Sequence, residues 1–285
     1  MSETLLDIAG LEVGFGHSEV KAVRGVSFTL GREKLGIVGE SGSGKSTVGR
    51  AIMRLLPPTA RIGADHMRFG DIDLLRASER EMMTIRGRRI GLILQDPKYS
   101  LNPVMRVGEQ ISEAYELHFG RQGGAGAARQ KALDMLAAVQ IRDPERVADF
   151  YPHEVSGGMG QRIMIAMMLI AEPEVLIADE PTSALDVTVR LEVLALLDEL
   201  IQRRNLGLIF ISHDLNLVRS FCDRVLIMYA GRIVEVLKAS ELDQARHPYT
   251  QGLLASLPSI EHEPAPLPTL KRDPSWLTST LEDVS

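Results

Sequence analysis

Only one cysteine, Cys222, occurs in the 285 residues. That excludes an intrachain disulfide and a metal cage built of cysteines alone. No apolar run reaches the ~18 residues that a membrane span needs. The nearest, Ile163 to Ala178, is interrupted by Glu172, Pro173 and Glu174. Met1 to Asp7 shows no basic stretch leading into an apolar one, so no signal peptide is expected. Excess positive charge is missing too. The formal net charge is −6 and the pI about 5.7, which argues against nonspecific nucleic-acid binding. These absences predict a cytosolic protein whose membrane role, if it has one, comes through a partner. What is present is 45% hydrophobic content, enough to bury one large domain or a domain with a subdomain.

The chain is organised around residues 35–46. An apolar run (Leu35, Ile37, Val38) stops at Gly39, and the spacing G-x-x-x-x-G-K-S follows through Glu40, Ser41, Gly42, Ser43, Gly44, Lys45 and Ser46. Thr47 opens a helix-compatible run. Strand, glycine loop and helix in this order mark a phosphate-binding loop. Glycines let successive N–H groups turn inward toward an anion, and the helix N-terminus adds its own free amides and dipole. Lys45 can reach β- and γ-phosphates, and the Ser46 hydroxyl can ligate Mg²⁺. The loop alone does not name the reaction, because kinases, GTPases, motors and transport ATPases share it.

Upstream, Leu5 to Phe15 and Ala22 to Leu30 read as strands. Phe15 can stack on a base or serve as a core aromatic. Lys45 to Leu56 reads as a helix stopped by Pro57-Pro58. Met67 to Asp71 suggests a hairpin, Ser78 to Arg86 a helix with a capping box, and Ile90 to Leu94 a strand ending at Gln95. From Asp96 to about Val155 the pattern becomes helical: Val107 to Phe119, a glycine-rich connector Gly120 to Gly126, Ala127 to Gln140, and a helix start at Asp143-Pro144. Val175 to Ala178 and Leu208 to Ile211 are continuous apolar strands of the kind buried on both faces. Val187 to Arg204 is a helix between them. Two short strands, Val225 to Met228 and Ile233 to Val236, flank Gly231. From Pro258 onward a proline-containing tail with the lone Trp276 reads as extended.

Alternating strands and helices predict an α/β fold with a mostly parallel sheet, which places ligands at the carboxyl ends of its strands. Gly39, Gln95, Asp179 and His213 each follow directly on a predicted strand, so four pieces of chain are expected to converge. Asp179 suits a carboxylate holding Mg²⁺, and Glu180 a group that orients an attacking water or takes its proton. Asp-Glu before Pro181 is also ordinary turn chemistry. Gln95 is a neutral candidate ligand for metal or water. His213 is a candidate γ-phosphate donor or a structural histidine. Ser156-Gly157-Gly158-Met159 precedes a long apolar helix, Gln161 to Ile170: a second helix N-terminus with glycines in front, or a plain entry turn. One nucleotide needs one cradle, so a second makes sense if it serves a nucleotide held by another subunit.

Together these motifs resemble the ATP-binding subunit of ABC transporters over about residues 5–257. Gly39 to Ser46 is similar to the Walker A loop, Gln95 to the Q-loop glutamine, and Val155 to Met159 to the signature. Val175 to Asp179 matches Walker B, Glu180 the catalytic glutamate, Ser183 to Asp186 the D-loop and His213 the switch histidine. The resemblance implies a P-loop NTPase with a RecA-like core, an antiparallel β region at the N-terminus and a helical subdomain at about 96–170. It implies ATP and Mg²⁺ as cofactors, with Ser46, Gln95 and Asp179 at the metal and Phe15 at the base. The partners implied are membrane permease subunits, a second ATP-binding subunit and an extracytoplasmic solute-binding protein, with no nucleic acid. The location implied is the cytoplasmic face of the membrane.

Tyr151 to Met159, Asp179 to Thr188, Ser100 to Pro103 and His247 to Thr250 are similar to the dipeptide, oligopeptide and nickel importers within that family. Two departures stand out. Gly160 occupies a position where arginine is usual, and no cysteine motif follows His247-Pro248-Tyr249-Thr250, so no iron–sulfur cluster is expected. The competing classes are a soluble ABC-type ATPase acting on nucleic acid or ribosomes, and a non-transport subunit of an enzyme complex. Against the first, the chain has no long coiled-coil insert and a single phosphate loop.

Overall fold

Alternating apolar positions on either side of residue 20 give two long antiparallel strands, β1 (Leu6–Phe15) and β2 (Lys21–Leu30). Leu6, Ile8, Leu11 and Val13 face inward from one, and Val23, Val26, Phe28 and Leu30 from the other. The inward positions skip in phase near Gly10 and Gly25, both at positive φ, where the pairing shifts register. The computed structural model describes residues 3–16, 20–96, 100–120, 125–257 and 273–277. In chain order there follow β3 (Lys34–Val38), α1 (Lys45–Ile52), β4 (Ala60–Gly63), β5 (His66–Phe69), β6 (Ile72–Asp73), α2 (Glu79–Ile85), β7 (Ile90–Ile93), α3 (Val107–Phe119), α4 (Ala125–Ala138), α5 (Pro144–Ala148), α6 (Gly157–Leu169), β8 (Val175–Asp179), α7 (Val187–Arg204), β9 (Gly207–Ser212), α8 (Leu215–Phe221), β10 (Arg224–Tyr229), β11 (Arg232–Lys238) and α9 (Pro248–Ala255).

The chain divides into two compact units. The first joins residues 1–77 to 209–285. It holds the antiparallel sheet β2-β1-β5-β6, with β4 also on β1, and a second sheet in the order β11-β10-β3-β9. β3 runs parallel to β10, from Leu35 beside Arg224 to Val38 beside Ile227, while β11 returns antiparallel. Apart from the terminal Lys34, Arg224 and Ser212, the central strands β3, β9 and β10 are apolar and buried, as expected for a sheet covered on both faces.

The second unit spans residues 78–208. Its strands β7 and β8 pair in parallel, Ile90 beside Val175 through Ile93 beside Ala178. Helices surround them with a core that includes Val107, Ile111, Ala132, Leu136, Ile163, Ile165 and Ala166. The Ser78/Glu81 capping box forms in both directions at α2. Pro144 sits in the first turn of α5 as expected.

Three local expectations change. α1 stops at Ile52 rather than Leu56, because Met53 caps it and Arg54 turns to φ +50. α4 starts at Ala125, so Gly126 is helical and not part of a connector; residues 121–124 lie outside the described ones. Most of the tail from Pro258 likewise lies outside them. Pro274–Leu277, however, is a 3-10 turn with Trp276 buried among Tyr229, Tyr249 and His247, not an extended strand.

Candidate functional site

In the first unit, β3 ends at Val38 and the chain curls through Gly39–Gly44 into α1. Gly42 and Gly44 take φ of +81° and +100°, which side chains with a Cβ rarely adopt. Gly39 and Gly44 are also required by space. A Cβ on Gly39 would stand 2.1 Å from the Met228 carbonyl oxygen, and one on Gly44 2.5 Å from that of Ala22. Gly42 faces open space.

Lys45, 5% exposed, folds its ammonium back into the loop and donates to Gly39 O and Glu40 O, both at 2.8 Å, and to Ser43 Oγ at 3.5 Å. A buried ammonium needs such oxygens around it. No side chain caps the N-terminus of α1. The positive dipole end of α1 and the buried lysine beside it favour an anion at this turn. Ser46 and Thr47 are half-buried on that first turn, while Ser41 is exposed on the loop. Phe15 ends β1 on the surface, paired with Ala60. His213 is exposed directly after β9, the strand next to β3.

In the second unit, β8 delivers Asp179 and Glu180. Asp179 is buried at 5% exposure. Glu180 holds φ +49, a strained value for a residue with a Cβ. The turn Pro181–Leu185 locks that conformation: Ser183 donates to Glu180 O through both its N–H and its hydroxyl, and Leu185 N–H donates to Thr182 O. The Glu180 carboxylate then accepts from Gln95 Nε2 at 3.2 Å. Two of the expected catalytic side chains, 85 positions apart, are therefore in contact.

Ser156 caps α6, its hydroxyl accepting Met159 N–H at 3.3 Å. Gly157 and Gly158 do not stand in front of the helix, as the sequence suggests, but form its first turn. Gly158 is dictated by packing: a Cβ there would meet Val189 Cγ1 of α7 at 2.5 Å. Asp186 caps α7 by accepting Val189 N–H at 3.0 Å. Ser156 and Asp186 are exposed, and Met159 is half-buried.

The residues fit a triphosphate with a hard cation. In the first unit, the glycine loop and Lys45 at the start of α1 suit phosphate oxygens, with the Ser46 hydroxyl on the same turn; in the second unit taken by itself, the Asp179 carboxylate is a hard oxygen group of the kind divalent cations accept. Among the described residues no group of three His, Cys, Asp or Glu could hold an ion by itself. Sequence reasoning did not single out Tyr249, whose hydroxyl accepts the Glu40 N–H at 3.0 Å. No local pattern could have found it, because 209 positions separate the two residues.

A family model described as "ABC transporter" matches residues 23–183. The "Oligopeptide transport ATP-binding protein OppD" of Bacillus subtilis (strain 168) is 47% identical over 262 residues, covering 90% of this chain and 73% of that protein. The "Dipeptide transport ATP-binding protein DppD" of Escherichia coli (strain K12) is 45% identical over 270 residues, covering 93% and 82%. Among solved structures, the dimeric post-hydrolysis state of the ATP-binding cassette MJ0796 bound to ADP and Pi superposes with a TM-score of 0.72 at 26% identity, over 82% of this chain and 98% of that one. CbiO1 from Clostridium perfringens, part of the transporter complex cbiONQ, gives 0.71 at 26% identity, over 85% and 91%.

Proposed function

The chain belongs to the ABC transporter family, and from that premise we propose that it is the ATP-hydrolysing subunit of a peptide importer, working as one half of a head-to-tail pair. The observation that carries the reading is Lys45, buried within the glycine loop at a helix N-terminus that no side chain caps. The relatives' names supply peptide transport, and the dimeric cassette supplies the paired arrangement.

Each residue's role follows from its chemistry. Gly39 to Thr47 surround the phosphates with amides and the Lys45 charge. Phe15 stacks on the base. Ser46 offers a hydroxyl to Mg²⁺, Asp179 a carboxylate and Gln95 a neutral oxygen. Mg²⁺, if held there, would supply charge neutralisation to the phosphate oxygens. Glu180, held by Gln95, orients the attacking water and accepts its proton. His213 donates to the γ-phosphate. Ser156 to Met159 present a helix N-terminus to the nucleotide of the partner subunit, with Asp186 beside that joint. Helix α3 and the loop before it, residues 102–117, dock the cytoplasmic helices of a permease. No described helix is long and apolar enough to cross a membrane. As a transporter's ATP-binding subunit, the chain would attach to the permease at the cytoplasmic face. A solute-binding protein would select the cargo outside.

The test is Glu180→Gln in the assembled complex. Turnover should fall by about 10²- to 10⁴-fold, the usual loss of a general base, with ATP still bound and the pair held closed. Near-normal hydrolysis would remove Glu180 from this role. Failure of the wild-type chain to co-purify with an integral membrane protein from its own cell would overturn the transport reading.

A further inference from the structure

Behind the phosphate loop lies an aromatic cluster that hydrolysis does not use. Tyr249 of α9 is fully buried, and its hydroxyl accepts the Glu40 N–H at 3.0 Å. Its ring packs on Tyr229 with centroids 4.6 Å apart. Trp276 closes over both, 5.9 Å from Tyr229 and 6.1 Å from Tyr249, and lies 6.1 Å from His247. Tyr229 itself stands between Met228, whose carbonyl oxygen abuts Gly39, and Gly231, whose N–H donates to Ser43 O at 3.0 Å. The approach to Tyr249 is fixed as well. Glu235 Oε1 accepts the N–H groups of Arg246 (2.6 Å) and His247 (3.3 Å), and His247 Nδ1 accepts that of Tyr249 (3.1 Å).

The Glu40 N–H and the Gly39 carbonyl belong to one peptide unit. A trans peptide is planar, and its N–H and C=O point in opposite directions. One side of this plane is held by the Tyr249 hydroxyl. The other accepts Lys45 Nζ at 2.8 Å. Any tilt at the tyrosine is therefore passed to the oxygen that holds the lysine.

We propose that Tyr249 is a positioning residue for Lys45, acting through the Gly39–Glu40 peptide plane, and that Trp276 sets Tyr249 as the outer end of this aromatic strut. The proposal rests on the nucleotide reading of the loop. It makes the C-terminal segment part of the phosphate site's support, and it turns the sole tryptophan into a reporter of that site.

The experiment measures MgADP affinity by equilibrium dialysis and Trp276 emission in the same full-length samples, well below their melting temperatures. In the wild type, ADP binds and shifts the emission. Tyr249→Phe keeps the ring and removes only the hydroxyl. It should bind ADP about 3- to 10-fold more weakly, the loss expected for one neutral hydrogen bond, and retain less than half of the emission response. Trp276→Ala should weaken ADP binding, and Trp276→Phe should recover most of it. Tyr249→Phe with wild-type affinity and wild-type emission response would overturn the strut while leaving the nucleotide reading intact. Absence of ADP binding by the wild-type protein would overturn both.

Discussion

Two helix N-termini carry a Ser-Gly pair, Ser43-Gly44 just before α1 and Ser156-Gly157 across the start of α6; they look alike on paper and are built differently. At α1 the residue before the helix is Gly44 in the left-handed region, no side chain caps the first amides, and Lys45 reaches back over the loop. At α6 the corresponding residue is Ser156 in the extended region, and its hydroxyl already takes the Met159 N–H. On the proposed reading, the first end takes an anion held by this chain's own loop. The second is a self-capped end with exposed Ser156 and Gly157, suited to touch something brought to it. The glycines differ as well. Gly39 and Gly44 are pressed by backbone oxygens, which cannot yield; Gly158 is pressed by a methyl of Val189.

The sharpest way to break this contrast is to remove each end's polar group. Lys45→Ala should weaken MgADP binding by about 10- to 100-fold, the scale of a lost charge-assisted bond. Ser156→Ala should leave ADP binding within about 2-fold and cost about 1 kcal/mol of stability for the missing cap, while turnover in the assembled complex collapses. Equal losses of ADP binding in the two variants would erase the distinction.

A smaller effect separates the glycines. Gly44→Ala should destabilise by about 1–3 kcal/mol for a strained backbone, and no side-chain change should rescue it. Gly158→Ala meets overpacking of about 1–3 kcal/mol, partly offset by the roughly 1 kcal/mol helix advantage of alanine. Val189→Ala should restore it in a double-mutant cycle read by denaturant unfolding. The smallest expectation is a null. Cys222, behind β3, has a thiol pushed up to about 12 by burial, so roughly one molecule in 10⁴ carries a thiolate at pH 8. Alkylation at that pH should be slow and unchanged by ADP. Acceleration on ADP binding would mean that the first unit loosens behind its loop.

The sequence made the phosphate loop plain because its chemistry is local: spacing, glycines and lysine lie within eight residues. The helices Val107–Phe119 and Val187–Arg204 emerged as read, since their apolar spacing and caps are also local. The family-level expectations of fold and of an ABC-type ATP-binding subunit hold for the same reason, being carried by ordered short motifs. What escaped depends on distant partners. Gly157 and Gly158 read as glycines in front of a helix, whereas they form its first turn, and Val189 shows why no larger residue fits at 158. The early stop of α1 lies in the backbone of Arg54, which residue type does not announce. Tyr249 seemed only part of a family motif, because its bond to Glu40 joins opposite ends of the chain.

That joining has a consequence for how the protein is made. β3, which launches the phosphate loop, finds its neighbour β10 late: 189 positions separate Lys34 from Asp223, whose carboxylate takes the Lys34 N–H. At ribosomal speeds of about 5–20 residues per second, the first unit waits roughly ten to forty seconds with its central strand unpartnered on that side. The second unit, whose residues are continuous, can finish folding during that interval. The phosphate loop thus leaves the ribosome before the second unit does, yet takes its final shape after it.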